Sequence, residues 1–181
     1  MNDPMEGVYS SNSDKITKKI FDEKNNKVIC SFSNIWGFKN LAMWGYYANG
    51  FKGVAIEVEV DEEKVKAVQY KPNIEYIEQI EKLKEYEEII NSINKWEHEK
   101  EYRFITNKKD NENSYKVGNI KKVYFGNPYG NTKNQKDVLN KNKNLKEYLC
   151  IKEEIEEFLS KKKIDFVDVT VENGIVKCKE N

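Results

Sequence analysis

Lys95-Trp96-Glu97-His98-Glu99-Lys100-Glu101-Tyr102-Arg103-Phe104 is the stretch on which the fold turns. Before it, apolar residues recur at helical spacing; within it the period changes to two, so Glu99, Glu101 and Arg103 are expected on one face of a strand and Tyr102 and Phe104 on the other. The stretch also holds the only histidine and the only arginine, the latter among 31 basic residues. A guanidinium offers a planar fork that grips a carboxylate or phosphate through two bonds, which an ammonium cannot copy. Arg103 therefore marks either a site or a structural brace.

Upstream, Ile74, Ile77, Ile80, Leu83, Tyr86, Ile89, Ile90 and Ile93 predict a long amphipathic helix over 73–95. Lys64 to Tyr70 reads as a strand closed by Pro72, and is expected to pair with 53–60, whose alternation of Val54, Ile56, Val58 and Val60 with Ala55, Glu57 and Glu59 is the clearest strand signal in the chain. Before that strand, Asn40 to Asn49 predicts a buried helix stopped by Asn49-Gly50, with Gly45 placed where another backbone or a ligand approaches closely. Lys27 to Phe32 predicts a largely buried strand, and Ser11 to Lys24 a short helix capped by Ser13 or Asp14. Asn2 to Gly7 reads as a turn.

Downstream, 114–117 is expected as an edge strand and 120–125 as a full one, ending in the turn Asn127-Pro128-Tyr129-Gly130. A weak helix over 132–146 and a firm one over 145–159, with Leu149, Ile151, Ile155, Phe158 and Leu159 on its apolar side, precede a hairpin turning at Asn173-Gly174. Together these predict a single α+β domain over 1–181: a core over 1–130 with a mostly antiparallel mixed sheet of 27–32, 53–60, 64–70, 101–106 and 120–125 and packed helices, followed by C-terminal helices and a hairpin over 131–181.

Lys plus Arg and Asp plus Glu stand at 31 each, so no global field draws the chain to nucleic acid or to an anionic membrane. The Lys/Asn-rich 131–146 segment is the one local route to nucleic acid, and it lacks interleaved aromatics. Three widely spaced cysteines without metal spacing predict reduced thiols in a cytoplasm, and no apolar run is long enough to cross a bilayer. No metal site is expected: His98 is the single histidine, without a second at ligand spacing, and reads as a surface or packing residue. No glycine-rich phosphate loop is present.

Two carboxylates two residues apart can raise one another's pKa into the acid/base range, which makes Glu101 and Glu99 the candidate catalytic pair. Arg103 and Lys52 are candidate anion holders, and Trp44 or Tyr47 a stacking wall. The competing readings are a buried polar network of Glu99, Glu101 and Arg103, with Glu6 as a further partner, or a helical Glu99–Arg103 pair.

Several blocks in order, Asn2-Asp3-Pro4-x-Glu6, Ser31-Phe32-Ser33, Met43-Trp44-x-x-Tyr47-Ala48-x-x-x-Lys52-Gly53-Val54, Val68-x-Tyr70, Lys95-Trp96-x-x-Glu99-x-Glu101-x-Arg103 and Val123-Tyr124-Phe125-Gly126, resemble the bacterial domain of unknown function DUF2971. The resemblance spans residues 2 to 126. It implies a plan like the Arg-Ser-Glu type of ADP-ribosyltransferase, with NAD as substrate, Ser31 and Ser33 lining the pocket and Glu101 catalytic. It also implies that a strand and helix found in the family ahead of Asn-Asp-Pro, with the early Arg or His of that transferase class, are missing here, which argues against activity. A nucleotide-using transferase, a non-catalytic domain that binds a protein partner, and a nucleic-acid module are the three functional expectations.

Overall fold

The computed structural model describes residues 9–70, 75–76, 92–93, 96–110, 114–129 and 141–178. The fold is α+β, with four helices among the described residues, a three-stranded antiparallel sheet and a curled, mixed four-stranded sheet. It falls into two compact units that interleave along the chain: 1–37 with 60–117, and 38–59 with 118–181. No helix among the described residues is long and apolar enough to cross a membrane.

In the first unit, β1 (Tyr9–Ser10) precedes α1 (Asp14–Asn25), whose N-cap is Ser13 and whose buried stripe is Ile16 and Ile20. Phe21, one position off that stripe, is exposed. The chain reverses at Asn26 into β2 (Lys27–Ser33) and leaves the unit through α2 (Ile35–Lys39). Beyond the excursion, Asp61 caps a 3-10 turn at Glu62–Lys64, followed by β4 (Val65–Ala67) and β5 (Gln69–Tyr70). Two-residue strands β6 (Glu75–Tyr76) and β7 (Ser92–Ile93) pair in parallel with β1 and β5 respectively. The helix expected over 73–95 thus gives way to extended backbone at both pairs, and its remaining residues lie outside those described, as does the turn expected over 2–7. Strand β8 (Glu101–Asn107) is central: β2 runs antiparallel along its whole length, while β4 covers only Tyr102 to Phe104 on the other side.

In the second unit, α3 (Leu41–Tyr47) is capped by Asn40 and stopped by left-handed backbone at Asn49, Gly50 and Phe51. Strands β3 (Val54–Val60), β9 (Gly118–Phe125), β10 (Asp165–Glu172) and β11 (Ile175–Cys178) form a sheet in the order β11-β10-β9-β3. Helix α4 (Lys143–Lys162) is the crossover between the parallel neighbours β9 and β10, and Asn173-Gly174, both at positive φ, closes the β10–β11 hairpin. The two faces of this sheet bury different clusters. Trp44, Ala48, Phe51, Val169 and Val176 gather with Ala55 and Tyr124 on one; Val123, Phe125 and Leu159 gather with Val54 and Ile155 on the other. Gly126 allows the first cluster to close, because a Cβ there would come within 2.5 Å of the Phe51 carbonyl oxygen and 3.1 Å of the Trp44 ring.

Four expectations are corrected. Strand 53–60 does not pair with 64–70; it lies beside β9, and β4 lies beside β8, because the capped turn at Asp61 redirects the chain after β3. Residues 114–117 are not a strand. Gly45 has open space where a side chain would stand, so close packing does not require it. The buried face of α4 is Leu145, Tyr148, Lys152 and Leu159, whereas Ile151 and Phe158 are exposed. A lysine occupies the apolar stripe, and its aliphatic stem makes that possible.

Candidate functional site

The start of β8 is built by a conformational switch at Lys100. Glu97–Glu99 is a 3-10 turn, Lys100 takes left-handed backbone (φ 48°), and the strand begins one residue later. Glu99 therefore stands on the turn, while Glu101 and Arg103 share a strand face as their spacing predicts. Neither the three-residue strand face nor the helical Glu99–Arg103 pair forms.

Glu101 is held from several sides. Its backbone N–H donates to the Tyr70 hydroxyl at 2.7 Å, and its carbonyl accepts from the Val68 N–H at 3.0 Å. Its carboxylate takes the Arg103 fork, Nε to Oε1 at 2.8 Å and Nη2 to Oε2 at 3.0 Å. Arg103 is 2% exposed and Glu101 7%. Burial, reinforced by the charges of Glu101 and Glu99, pushes the Tyr70 hydroxyl above its ordinary pKa. The neutral phenol is thus the form this corner holds.

Across the sheet, register places Ser31 opposite Arg103 and Ser33 opposite Glu101. The Ser33 hydroxyl donates to the Glu99 carbonyl, tying β2 to the 3-10 turn. Gly37 is needed beside that contact. Any Cβ there would collide with the Ser33 Oγ and approach the Glu99 carbonyl oxygen to 2.9 Å. Ser31 and Ser33 are themselves exposed. Five of the eight candidates, Glu99, Glu101, Arg103, Ser31 and Ser33, are therefore neighbours in one sheet corner.

The other three belong to the second unit. Trp44 is 3% exposed, its Nε1 donates to the Phe38 carbonyl at 2.8 Å, and its ring meets Phe38 and Phe51 edge-on at 5.7 and 5.0 Å. It is the centre of a core, with its faces taken. Tyr47 is exposed on α3 beside Tyr46, and Lys52 is exposed on the turn that follows. His98 is exposed against Trp96, as a surface residue is expected to be. The 131–140 part of the Lys/Asn-rich segment and Glu6 lie outside the described residues.

One charged cluster escaped the sequence reading. Lys152, 4% exposed on α4, bridges Asp168 of β10 and, at 3.4 Å, Glu156, with its Nζ 5.2 Å from the centre of the Phe125 ring. One turn earlier, the Tyr148 hydroxyl donates to the Gly126 carbonyl at 2.6 Å, and burial, with Asp168 and Glu156 nearby, pushes its pKa up to about 12. The signal was present in the spacing of Leu145, Tyr148, Lys152 and Leu159. It is legible only to a reading that allows lysine on a buried stripe.

No family model, curated protein or solved structure matches this sequence.

Proposed function

We propose that the chain is a non-catalytic interaction domain in which Glu101 and Arg103 are a structural brace. The observation that carries this reading is the closed fork: both oxygens of Glu101 are engaged by Arg103, and both side chains are nearly removed from solvent. A carboxylate in that state has its lone pairs directed at a permanent partner instead of a reacting centre. Large apolar side chains that an interaction domain can offer stand outside: Ile35 and Trp36 on α2, and Tyr46 and Tyr47 on α3.

A second reading is favoured by the register. Ser31 and Ser33 lie directly across from Arg103 and Glu101, the adjacency of serine strand and glutamate strand that the resemblance to DUF2971 and its transferase-like plan calls for. Under that reading NAD is the substrate and Glu101 the catalytic carboxylate.

Nicotinamide release from NAD separates the two, measured on wild type, Glu101→Gln and Arg103→Lys with unfolding of each followed in urea. The brace predicts no release by wild type and a stability loss in Glu101→Gln of about 3–5 kcal/mol, the cost of stranding a buried charge. Release by wild type that vanishes in Glu101→Gln at unchanged stability would establish the transferase instead.

A further inference from the structure

We propose that the second unit carries a docking surface of its own: the lane beside α4, over β3, takes a basic amphipathic helix of a partner protein. This deepens the reading as an interaction domain and rests on it, but not on the Glu101 fork.

The lane follows from the width of the elements. Neighbouring strands stand about 4.8 Å apart and a helix with its side chains is about 10 Å across, so one helix covers about two strands. The sheet has four strands, in the order β11-β10-β9-β3, and α4 is the crossover between β9 and β10. Lys152 reaches Asp168 of β10, with Glu156 beside it, so that flank of α4 faces β10. The opposite flank carries Ile151, Ile155 and Phe158, four and three residues apart and therefore in one row. Ile155 and, from β3, Val54 pack against the cluster of Val123, Phe125 and Leu159. Beyond them the apolar surface is open: Ile56, two residues past Val54 on the same strand face, is 52% exposed, Ile151 50% and Phe158 56%. Ile56 is the floor of the lane, and Ile151 and Phe158 are its wall.

Charge selects the occupant. Residues 147–157 hold five glutamates and one lysine in a chain whose net charge is zero. Glu156 is taken by Lys152 and Glu157 by Lys161, but among the described residues no ion pair engages Glu147, Glu153 or Glu154. Glu147 and Glu154 fall in one row with Ile151 and Phe158, at steps of four, three and four, so carboxylates and apolar side chains alternate along the wall. A neighbour registers the negative field: Glu154, which accepts from the Cys150 thiol at 3.7 Å, holds that thiol above its ordinary pKa, with Glu153 adding to the effect. Basic residues flank the row, Lys143 and Lys146 before it and Lys161 to Lys163 after it, with Lys162 over the Phe158 ring. The row from Glu147 to Phe158 is about 17 Å long at 1.5 Å per residue. A helix of about three turns, with apolar residues at three-four spacing and lysines or arginines between them, sets apolar side chains on Ile56, Ile151 and Phe158 and cations on Glu147 and Glu154.

The test is fluorescence anisotropy of the full chain with a labelled synthetic Lys/Leu amphipathic helix, its Glu/Leu counterpart, and a scrambled Lys/Leu peptide of the same composition. It is repeated on Ile151→Ser/Phe158→Ser, on Glu147→Gln/Glu154→Gln, and on Phe21→Ser, an exposed apolar residue of the first unit. Saturable binding of the Lys/Leu helix alone is expected, weakened about 10-fold or more in each double variant and unchanged in Phe21→Ser. The glutamate pair touches no apolar packing, so it keeps the test decisive should the apolar pair disturb the fold. The proposal is overturned by no saturable binding at millimolar chain, by equal binding of the scrambled or Glu/Leu peptide, by unchanged binding in the glutamate pair, or by equal weakening in Phe21→Ser. Light scattering that shows a dimer abolished by Ile151→Ser/Phe158→Ser also overturns it, in favour of a second copy of the chain. Failure of the peptide to bind leaves the Glu101–Arg103 brace standing, whereas nicotinamide release would remove the brace and leave this surface.

Discussion

Arg103→Lys is the mildest change that tests the brace, since it keeps the charge and alters only how it is presented. The guanidinium holds Glu101 through Nε at 2.8 Å and Nη2 at 3.0 Å, two parallel charge-assisted bonds formed at 2% exposure. A lysine at 103 can send one donor to one oxygen. Hydrogen bonds to charged groups contribute roughly 1.5–3 kcal/mol, and a buried acceptor left unmet costs about 1–3 kcal/mol. These terms overlap, so the expected loss is about 2–3 kcal/mol, equivalent to a fall of roughly 5–10 °C in Tm for a chain of this size. Urea unfolding at pH 7 measures it from the midpoint at unchanged slope. Salt provides the second axis: a buried fork is poorly screened, so the difference between variant and wild type should persist from low to high ionic strength. A loss below about 0.5 kcal/mol, the range of exposed pairs, would refute the reasoning, and so would a larger loss that disappears in high salt.

Trp44→Ala is expected to cost about 3–5 kcal/mol, because it empties a core centre packed against two aromatic rings and strands the Phe38 carbonyl; thermal unfolding checks this, and a loss under about 1 kcal/mol would move Trp44 out of the core. For Tyr148 the sign follows from its pKa, raised to about 12 in the fold from about 10 in the unfolded chain. Above pH 10 the unfolded chain loses the phenolic proton that the folded chain keeps, so stability is intact below pH 10 and falls by roughly 1–2 kcal/mol as pH rises toward 12. Urea midpoints at pH 9 and 11 measure the fall, and Tyr148→Phe should reduce it, leaving the share of Tyr70 and Tyr124, whose hydroxyls burial also pushes up, while lowering stability at pH 9 by the lost bond to Gly126.

The sequence made element type legible where a periodic signal met a clear terminus, but facing only in part: the helix expected to be buried after Asn40 buries Trp44 and exposes Leu41 and Tyr47. Ser13 and Asn40 cap the helices they were expected to open, Asn49-Gly50 stops α3, and Asn173-Gly174 turns the hairpin. Partner choice was not legible. The alternation in 54–60 specifies which residues share a face but carries no information on which strand lies alongside, and sequence neighbours are only the commonest partners. Here Asp61 caps a turn that sends β4 to β8, while β3 pairs with β9 some sixty residues away in sequence. The α4 face was misplaced because hydropathy favoured Ile151 and Phe158, yet Lys152, paired with Asp168, stands on the buried stripe and both apolar residues face solvent.

For the candidate site, the spacing of Glu101 and Arg103 established that they share a face, and the structure shows what that spacing permits. Residues two apart on a strand stand close enough for a guanidinium to fold back side-on, through Nε and Nη2, onto a carboxylate of its own strand. The identical pattern would serve a ligand if the carboxylate were directed elsewhere, so composition cannot separate brace from site. The backbone of Glu101 supports the proposed brace. Its N–H and carbonyl are taken by Tyr70 and Val68, which fixes the position of the strand start and brings the carboxylate back under Arg103. That positioning depends on left-handed backbone at Lys100, a residue that carries no glycine-like signal for it. Under the proposed brace, a fork whose partner is supplied two residues away accounts for the lone arginine among lysines: an ammonium at 103 could neutralise Glu101 but could not engage both of its oxygens while buried.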